Sequence, residues 1–150
     1  MRILLLASVI IWVGASPSIA ALSAEQRASI DQLTGAQGTY TADEDTHRVA
    51  FPRNDLKVRA EGRAYAPFMG FTSWAAFTSA AGSDVEAMGD FVLAEDEVNE
   101  VMSVALDGGL EVTALHNHFF YIEPRVMFMH IGGHGAIAQL VRVRGARERE

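Results

Sequence analysis

Apolar residues recur with a helical period in two parts of the chain. Across residues 95–107 they lie at i, i+3, i+4 and i+7, which predicts an amphipathic helix that ends at Gly108-Gly109. Near the N-terminus, Ser23 and Gln26 have the spacing of a capping box, and a modest apolar stripe continues to Gly35. We therefore expect a short helix there and a better-defined one before residue 108.

Strand-like segments fill the region between these two helices. They are rich in β-branched and aromatic residues and are separated by proline or glycine, so they predict an antiparallel run of strands. The segments are residues 47–51, 56–60, 72–78 and 85–93. After the second helix, two apolar arms, residues 110–119 and 125–131, flank a turn and predict a hairpin that is buried on both faces.

The chain closes with a predicted helix and a charged tail, residues 142–150. Gly132-Gly133 is expected to form a turn, after which Ile137, Leu140 and Val141 share a helical face. This order of elements predicts an α+β fold, in which two to three helices pack on a largely antiparallel sheet of about five to six strands. No repeat or linker divides residues 21–150, so we expect a single domain.

The first twenty residues have the three-part pattern of a signal peptide. Arg2 precedes an unbroken apolar run, residues 3–13, which is followed by Gly14-Ala15-Ser16-Pro17 and a small residue, Ala20. As a helix this run reaches only about 16 Å, roughly half of a hydrocarbon core, which disfavours a permanent span. We expect cleavage after Ala20 and export to the periplasm or medium without a stable membrane anchor; an uncleaved N-terminal anchor is the alternative.

Composition limits the chemistry that the exported chain can use. With no cysteine, it can form neither disulfides nor thiolate metal sites, and it cannot be acylated at a cysteine. The formal charge is −7, and it becomes −8 when Arg2 leaves with the signal peptide. An acidic surface repels nucleic acids, so we expect no nucleic-acid partner.

Four of the five histidines lie within residues 115–135, and this is the strongest chemical signal in the sequence. In a strand, His116 and His118 point to one face because side chains alternate. Paired residues of an antiparallel hairpin have numbers with a constant sum, and a five-residue loop at 120–124 makes that sum even. His130 then lies on the same face, within a residue or two of being opposite His116.

Three converging imidazoles suit a transition metal, and zinc or copper is the expected cofactor. Possible additional ligands or bases are His134, Asp90 and Glu123, and spacing does not choose among them. Arg125 is a possible contact for an anion, or for a structural ion pair if it faces away from His130. The alternative is that these histidines are core groups, hydrogen-bonded to the backbone or to each other.

Several segments of the chain resemble the LppY/LpqO-like family of exported bacterial proteins. The resemblance rests on Phe51-Pro52-Arg53 with Asp55-Leu56-Lys57-Val58, on APFMGFTSWAAF, on GDFVLAEDEVNEVM and on GLEVTALHNHFFYIEPRVMFMHIGGHG. It implies an exported α+β domain but no established activity. Members of that family often carry two such units in tandem, so a homodimer is expected to supply the second unit here. Lipoprotein members carry a cysteine after the signal peptide, which this chain lacks.

Three functions remain open from the sequence. The first is an exported metal-binding protein, with His116, His118 and His130 as ligands. The second is a zinc-dependent hydrolase of cell-envelope material, since a His-x-His strand is similar to one element of lysostaphin-type metallopeptidases. Those enzymes also need an upstream histidine with a partner, and His47 has none at the required spacing. The third is a metal-free envelope domain that binds an unidentified small molecule.

Overall fold

The computed structural model describes residues 20–141, which form three helices and two antiparallel sheets. The predicted signal peptide, apart from residue 20, and the predicted tail at 142–150 lie outside the described residues. Within the described part of the chain, no helix is long and apolar enough to cross a membrane.

The main sheet has six strands, all paired antiparallel. In spatial order they are β1 (Thr39–Thr41), β2 (Thr46–Pro52), β5 (Thr72–Ser79), β6 (Val85–Ala94), β9 (Val126–Gly135) and β7 (Glu111–His116). A second sheet consists of β4 (Arg63–Ala64), β3 (Arg59–Ala60) and β8 (Ile122–Glu123). With its helices, this arrangement confirms the predicted α+β class.

Three helices cover one face of the main sheet. They are α1 (Ala24–Thr34), α2 (Val98–Asp107) and α3 (Ile137–Leu140). The predicted capping box begins α1, where Ser23 and Gln26 each accept a hydrogen bond from the other's backbone. One apolar core joins the three helices to the sheet. Ile30, Ala105 and Leu140 of the helices pack there with buried odd-numbered residues of β5, β6 and β9. Burial on a single sheet face is what holds these short helices in place.

The opposite face of the main sheet carries a smaller core. Its buried members come from β6, β9 and the segments that lead into β3 and β5, and they are Val58, Phe71, Val92, Val126 and Phe128. Tyr65 and Ile122, beside the strands of the small sheet, pack against this core. Within residues 20–141, the small sheet therefore covers one end of this face and leaves the rest of the face open.

Two of the sequence-based element boundaries differ clearly from the structure. The predicted strand at 56–60 is reduced to β3, Arg59–Ala60. The predicted turn at Gly132-Gly133 is wrong, because β9 continues to Gly135. A Cβ on Gly133 would lie 2.7 Å from Leu110 Cδ2 and 3.1 Å from Leu140 Cδ2, so glycine here admits close packing onto a strand rather than a turn.

The predicted hairpin arms do pair, as β7 with β9, but only one of them is buried. β7 is an edge strand whose residues are mostly exposed, so burial of this arm on both faces is wrong. Apolar composition alone did not distinguish an edge strand from a central one. The connection between the arms also contains β8, which pairs with β3 in the small sheet.

Candidate functional site

The strand register brings His116, His130 and Asp90 to the open face of the main sheet. Asp90 of β6 pairs directly with His130 of β9, and His130 pairs with Ala114 of β7. His116 pairs with Phe128, two residues along β9 from His130. Side chains two residues apart share a face, so the predicted placement of His116 and His130 on one face is confirmed.

His118 joins the same group although it lies beyond the end of β7. The centroid of the His116 ring is 5.1 Å from that of His118 and 4.9 Å from that of His130. The His118 ring stacks on Phe128, with centroids 3.4 Å apart and planes at 9°. The second core thus supplies the surface that positions this exposed imidazole. We call His116, His118, His130 and Asp90 the histidine site.

Two atoms of the histidine site are buried without a hydrogen-bond partner. They are Nδ1 of His116 and Oδ1 of Asp90. The other carboxylate oxygen of Asp90, Oδ2, lies 3.9 Å from Nε2 of His130, which is too long for a hydrogen bond. A third such atom, Oγ1 of Thr72, is on β5, two residues from the Trp74 that pairs with Asp90. Buried polar groups are rarely left unpaired, because each costs about 1–3 kcal/mol.

The rings of the histidine site are spaced like imidazoles that bind the same metal ion. Two imidazole nitrogens about 2.05 Å from one tetrahedral zinc ion place their ring centroids about 5.2 Å apart. The separations of 4.9 and 5.1 Å around His116 agree with this value. Among residues 20–141, however, no three His, Asp or Glu side chains could hold an ion in their present orientations. The imidazoles thus lie at a spacing that ligands of one ion show, but within the described residues these side chains do not form a metal site as they stand.

The surroundings of His118 favour the neutral form of its imidazole. Partial burial lowers the pKa of His118 below its usual range, and the neighbouring His116 and His130 lower it further, against an opposing effect of Asp90. A ring with a lowered pKa is uncharged at neutral pH. Neutral imidazole is the form that coordinates a metal.

The remaining predicted site residues lie away from the histidine site. His134 is on the same face of β9, but it is four residues from His130, about 13 Å along a strand. Glu123 is exposed in β8 and pairs with Arg59. Arg125 is exposed, with Nε 3.9 Å from Oε1 of Glu95, which matches the ion-pair alternative. Of the three additional ligands considered, only Asp90 is brought to the three imidazoles.

The fifth histidine has a structural environment on the other side of the sheet. His47 pairs with Phe77 and is buried in the helix-covered face, where Nε2 lies 2.7 Å from Oδ1 of Asp31. It therefore cannot complete a site with His116 and His118. The upstream element that lysostaphin-type metallopeptidases require is not supplied by His47.

An ion-pair group not expected from the sequence joins the end of β2 to the start of α2. Arg53 is 8% exposed, and it donates to Asp55, to Glu97 and to the backbone carbonyl of Val92. The available signal was that all three charged residues fall inside segments that carry the family resemblance.

Comparison with known proteins identifies one related family. A family model described as a domain of unknown function, DUF1259, matches residues 28–147. Neither the curated proteins nor the solved structures contain a match. The match covers both arms of the histidine site and the Arg53 group.

Proposed function

Because the chain belongs to the DUF1259 family, whose domain has no assigned function, we propose a function from its own site: exported transition-metal binding through the histidine site. The ligands are His116, His118 and His130, and Asp90 either ligates or orients His130. The observation that carries the proposal is the convergence of three imidazoles, together with two buried polar atoms, Nδ1 of His116 and Oδ1 of Asp90, that have no hydrogen-bond partner within residues 20–141. Zinc and copper suit three nitrogen donors with one carboxylate nearby.

Export follows from the signal-peptide pattern of residues 1–20. Leu22 is buried, and its amide N–H donates to Oδ1 of Asp45, so cleavage after Ala20 leaves this packed residue in place. We further propose that the chain represents the LppY/LpqO-like branch of its family, on the segments that carry that resemblance. Outside the cytoplasm, the site is not in competition with cytosolic metal buffering.

A bound ion would act as a Lewis acid or would be held as stored metal. The residues of this chain would orient the ion and remove water from it. Phe128 supports the His118 ring from one side, and the pairing of β6 with β9 fixes Asp90 beside His130. His130 is 42% exposed, so one side of the site is open to solvent. That opening allows an ion or a further ligand to reach the imidazoles.

Metal analysis of protein purified from the exported fraction tests the proposal. We expect near-stoichiometric zinc or copper, and we expect its loss in the variant with His116→Ala, His118→Ala and His130→Ala. His134→Ala is the matched control, because this exposed histidine lies on the same strand outside the site, and its metal content should equal that of the wild type. Wild-type protein that is metal-free after loading, and as stable with chelator as with metal, would contradict the proposal.

A further inference from the structure

The helix-covered face of the main sheet carries a partly open cavity of about 250 Å³ that the proposed metal binding does not use. Its floor is formed by small residues of the central strands, among them Ser73, Ala75 and Ala87, and its sides carry Phe51, Phe77 and Phe91. Each of the helices α1, α2 and α3 contributes at least one residue to the wall of the cavity. The void exists because small side chains on the sheet do not fill the space beneath the helices.

The cavity extends along the strands of the sheet as well as across them. Ser73 and Phe77 of β5 both line it, and they are four residues apart, which is about 13 Å. An engineered cavity of about 150 Å³ with an aliphatic and aromatic lining stays dry and binds benzene. A cavity of about 250 Å³ therefore has room for a two-ring aromatic molecule or a medium-length alkyl chain.

The polar residues on the cavity wall are already bonded within the protein. Four of the described lining residues are polar, namely Thr34, Arg53, Ser73 and Glu97. Thr34 donates to the carbonyl of Ile30, Ser73 accepts from the amide of Val92, and Arg53 and Glu97 bond each other. All the N–H groups of Arg53 are engaged by Asp55, Glu97 and the Val92 carbonyl. Among the lining residues that the structure describes, no cation is left to receive the charge of an anionic ligand.

From this size and bonding, we infer that the cavity is a binding site for an uncharged apolar molecule of about the size of two aromatic rings or a medium-length alkyl chain. Ligand binding here is independent of the histidine site, because Ala75 and Ala87 face the helices whereas Asp90 and His130 face away from them. The two sites lie on opposite faces of the same sheet.

The test uses full-length mature protein and N-phenyl-1-naphthylamine, an uncharged probe whose fluorescence rises in apolar sites. We expect saturable binding with one probe per chain, competed by 1-decanol and at least tenfold less well by decanoate. Ala75→Leu places three further carbons in the cavity and should weaken probe binding at least tenfold without lowering the melting temperature. Ala76→Leu is the control, because residue 76 points to the other face, and binding should be unchanged.

Two further variants distinguish a folding defect from lost probe binding, and probe binding from metal binding. If Ala75→Leu does not fold, Ala87→Val takes its place, with the probe-induced rise in melting temperature as the readout. The variant lacking His116, His118 and His130 should bind the probe as the wild type does, so failure of metal binding leaves this result unaffected. Absence of saturable binding, equal binding in the filled variants, or equal competition by decanoate would overturn the inference.

Discussion

Asp45 is the residue at which a single carboxylate joins three parts of the fold. Oδ1 accepts hydrogen bonds from the Leu22 amide at 2.8 Å and the Tyr40 hydroxyl at 2.9 Å, and Oδ2 accepts from the Ser79 amide at 3.1 Å. The residue has a positive φ of 46°, which aspartate and asparagine tolerate better than most residues. Asp45 thus fastens the segment before α1 to the end of β5.

The Asp45 contacts predict a loss of stability in acid. Burial alone would raise the pKa of Asp45, but hydrogen bonds from Ser79, Leu22 and Tyr40 outweigh it and lower the pKa from 3.8 to about 2. The stabilisation is therefore complete above pH 3.8 and disappears as the pH falls through this window. Allowing for partial exposure, we expect roughly 1–2 kcal/mol. Urea unfolding between pH 6 and pH 2 measures it.

Asp45→Asn is the control for this acid dependence. The amide keeps the backbone preference but does not titrate, so the variant should be less stable at pH 6 and should lose less stability between pH 4 and pH 2. Equal acid dependence in the variant and the wild type would show that another group is responsible.

At the same scale, the sequence predicted which histidines meet but not all that surrounds them. Strand alternation and an even register placed His116 and His130 on one face, because these rules depend only on residue numbers. Residue spacing could not select Asp90 among the possible additional ligands, because its position opposite His130 depends on the order of the strands in the sheet. The support of His118 by Phe128 was also out of reach, because His118 lies beyond the end of β7.

At the scale of elements, Arg53 connects β2 to the turn before α2. Its Nη1 donates to the Val92 carbonyl at 2.6 Å and to Oε2 of Glu97 at 2.8 Å, and Oε2 also accepts from the Ala94 amide at 2.8 Å. Glu97 is the N-cap residue of α2. One guanidinium therefore fixes where the strand β6 ends and where the helix starts.

Replacing Arg53 should destabilise the protein much more than replacing an exposed arginine. Arg53→Met leaves Glu97 without its buried cation and the Val92 carbonyl without a donor, and we expect a loss of about 3 kcal/mol in the free energy of unfolding. Arg125→Met is the matched control. Its partner Glu95 is 3.9 Å away and both side chains are exposed, so the loss should stay within about 0.5 kcal/mol. Similar losses in thermal or urea unfolding would contradict this assignment.

Element types were predictable where periodicity is strong, and element ends were not. The helical stripe before residue 108 identified α2, yet the helix begins at Val98 rather than at residue 95, because Glu97 bonds to Arg53 and to the Ala94 amide. Glycine was read as a turn signal at Gly132-Gly133. There, Leu110 and Leu140 pack against the backbone, and the chain continues as a strand. Tertiary contacts of that kind leave no pattern in the local sequence.

On the scale of the whole molecule, one sheet separates the two faces that carry the proposed sites. Helices and the apolar cavity occupy one face, and the histidine site and the small sheet occupy the other. Fold class was predictable because the number and order of periodic segments determine it. The second sheet was not, since its strands are only two residues long.

Export predicts a specific N-terminus for the mature protein. Intact-mass measurement of the exported form should show a chain that begins at Ala21, with Leu22 next in sequence and buried. A substitution at the end of the signal, Ala20→Arg, should block this cleavage because small residues are required there. Recovery of the uncleaved chain from the cytoplasm alone, with the wild-type sequence, would contradict export.

The central claim is that three imidazoles of the histidine site bind one transition metal, and X-ray absorption of zinc-loaded protein tests it most directly. We predict a four-coordinate ion with about three imidazole nitrogens at about 2.0–2.1 Å. Single replacement of His116, His118 or His130 by alanine should remove one imidazole or abolish binding, whereas His134→Ala should leave the spectrum unchanged. A shell of oxygen ligands without imidazole, or a wild-type spectrum in all three variants, would contradict the account.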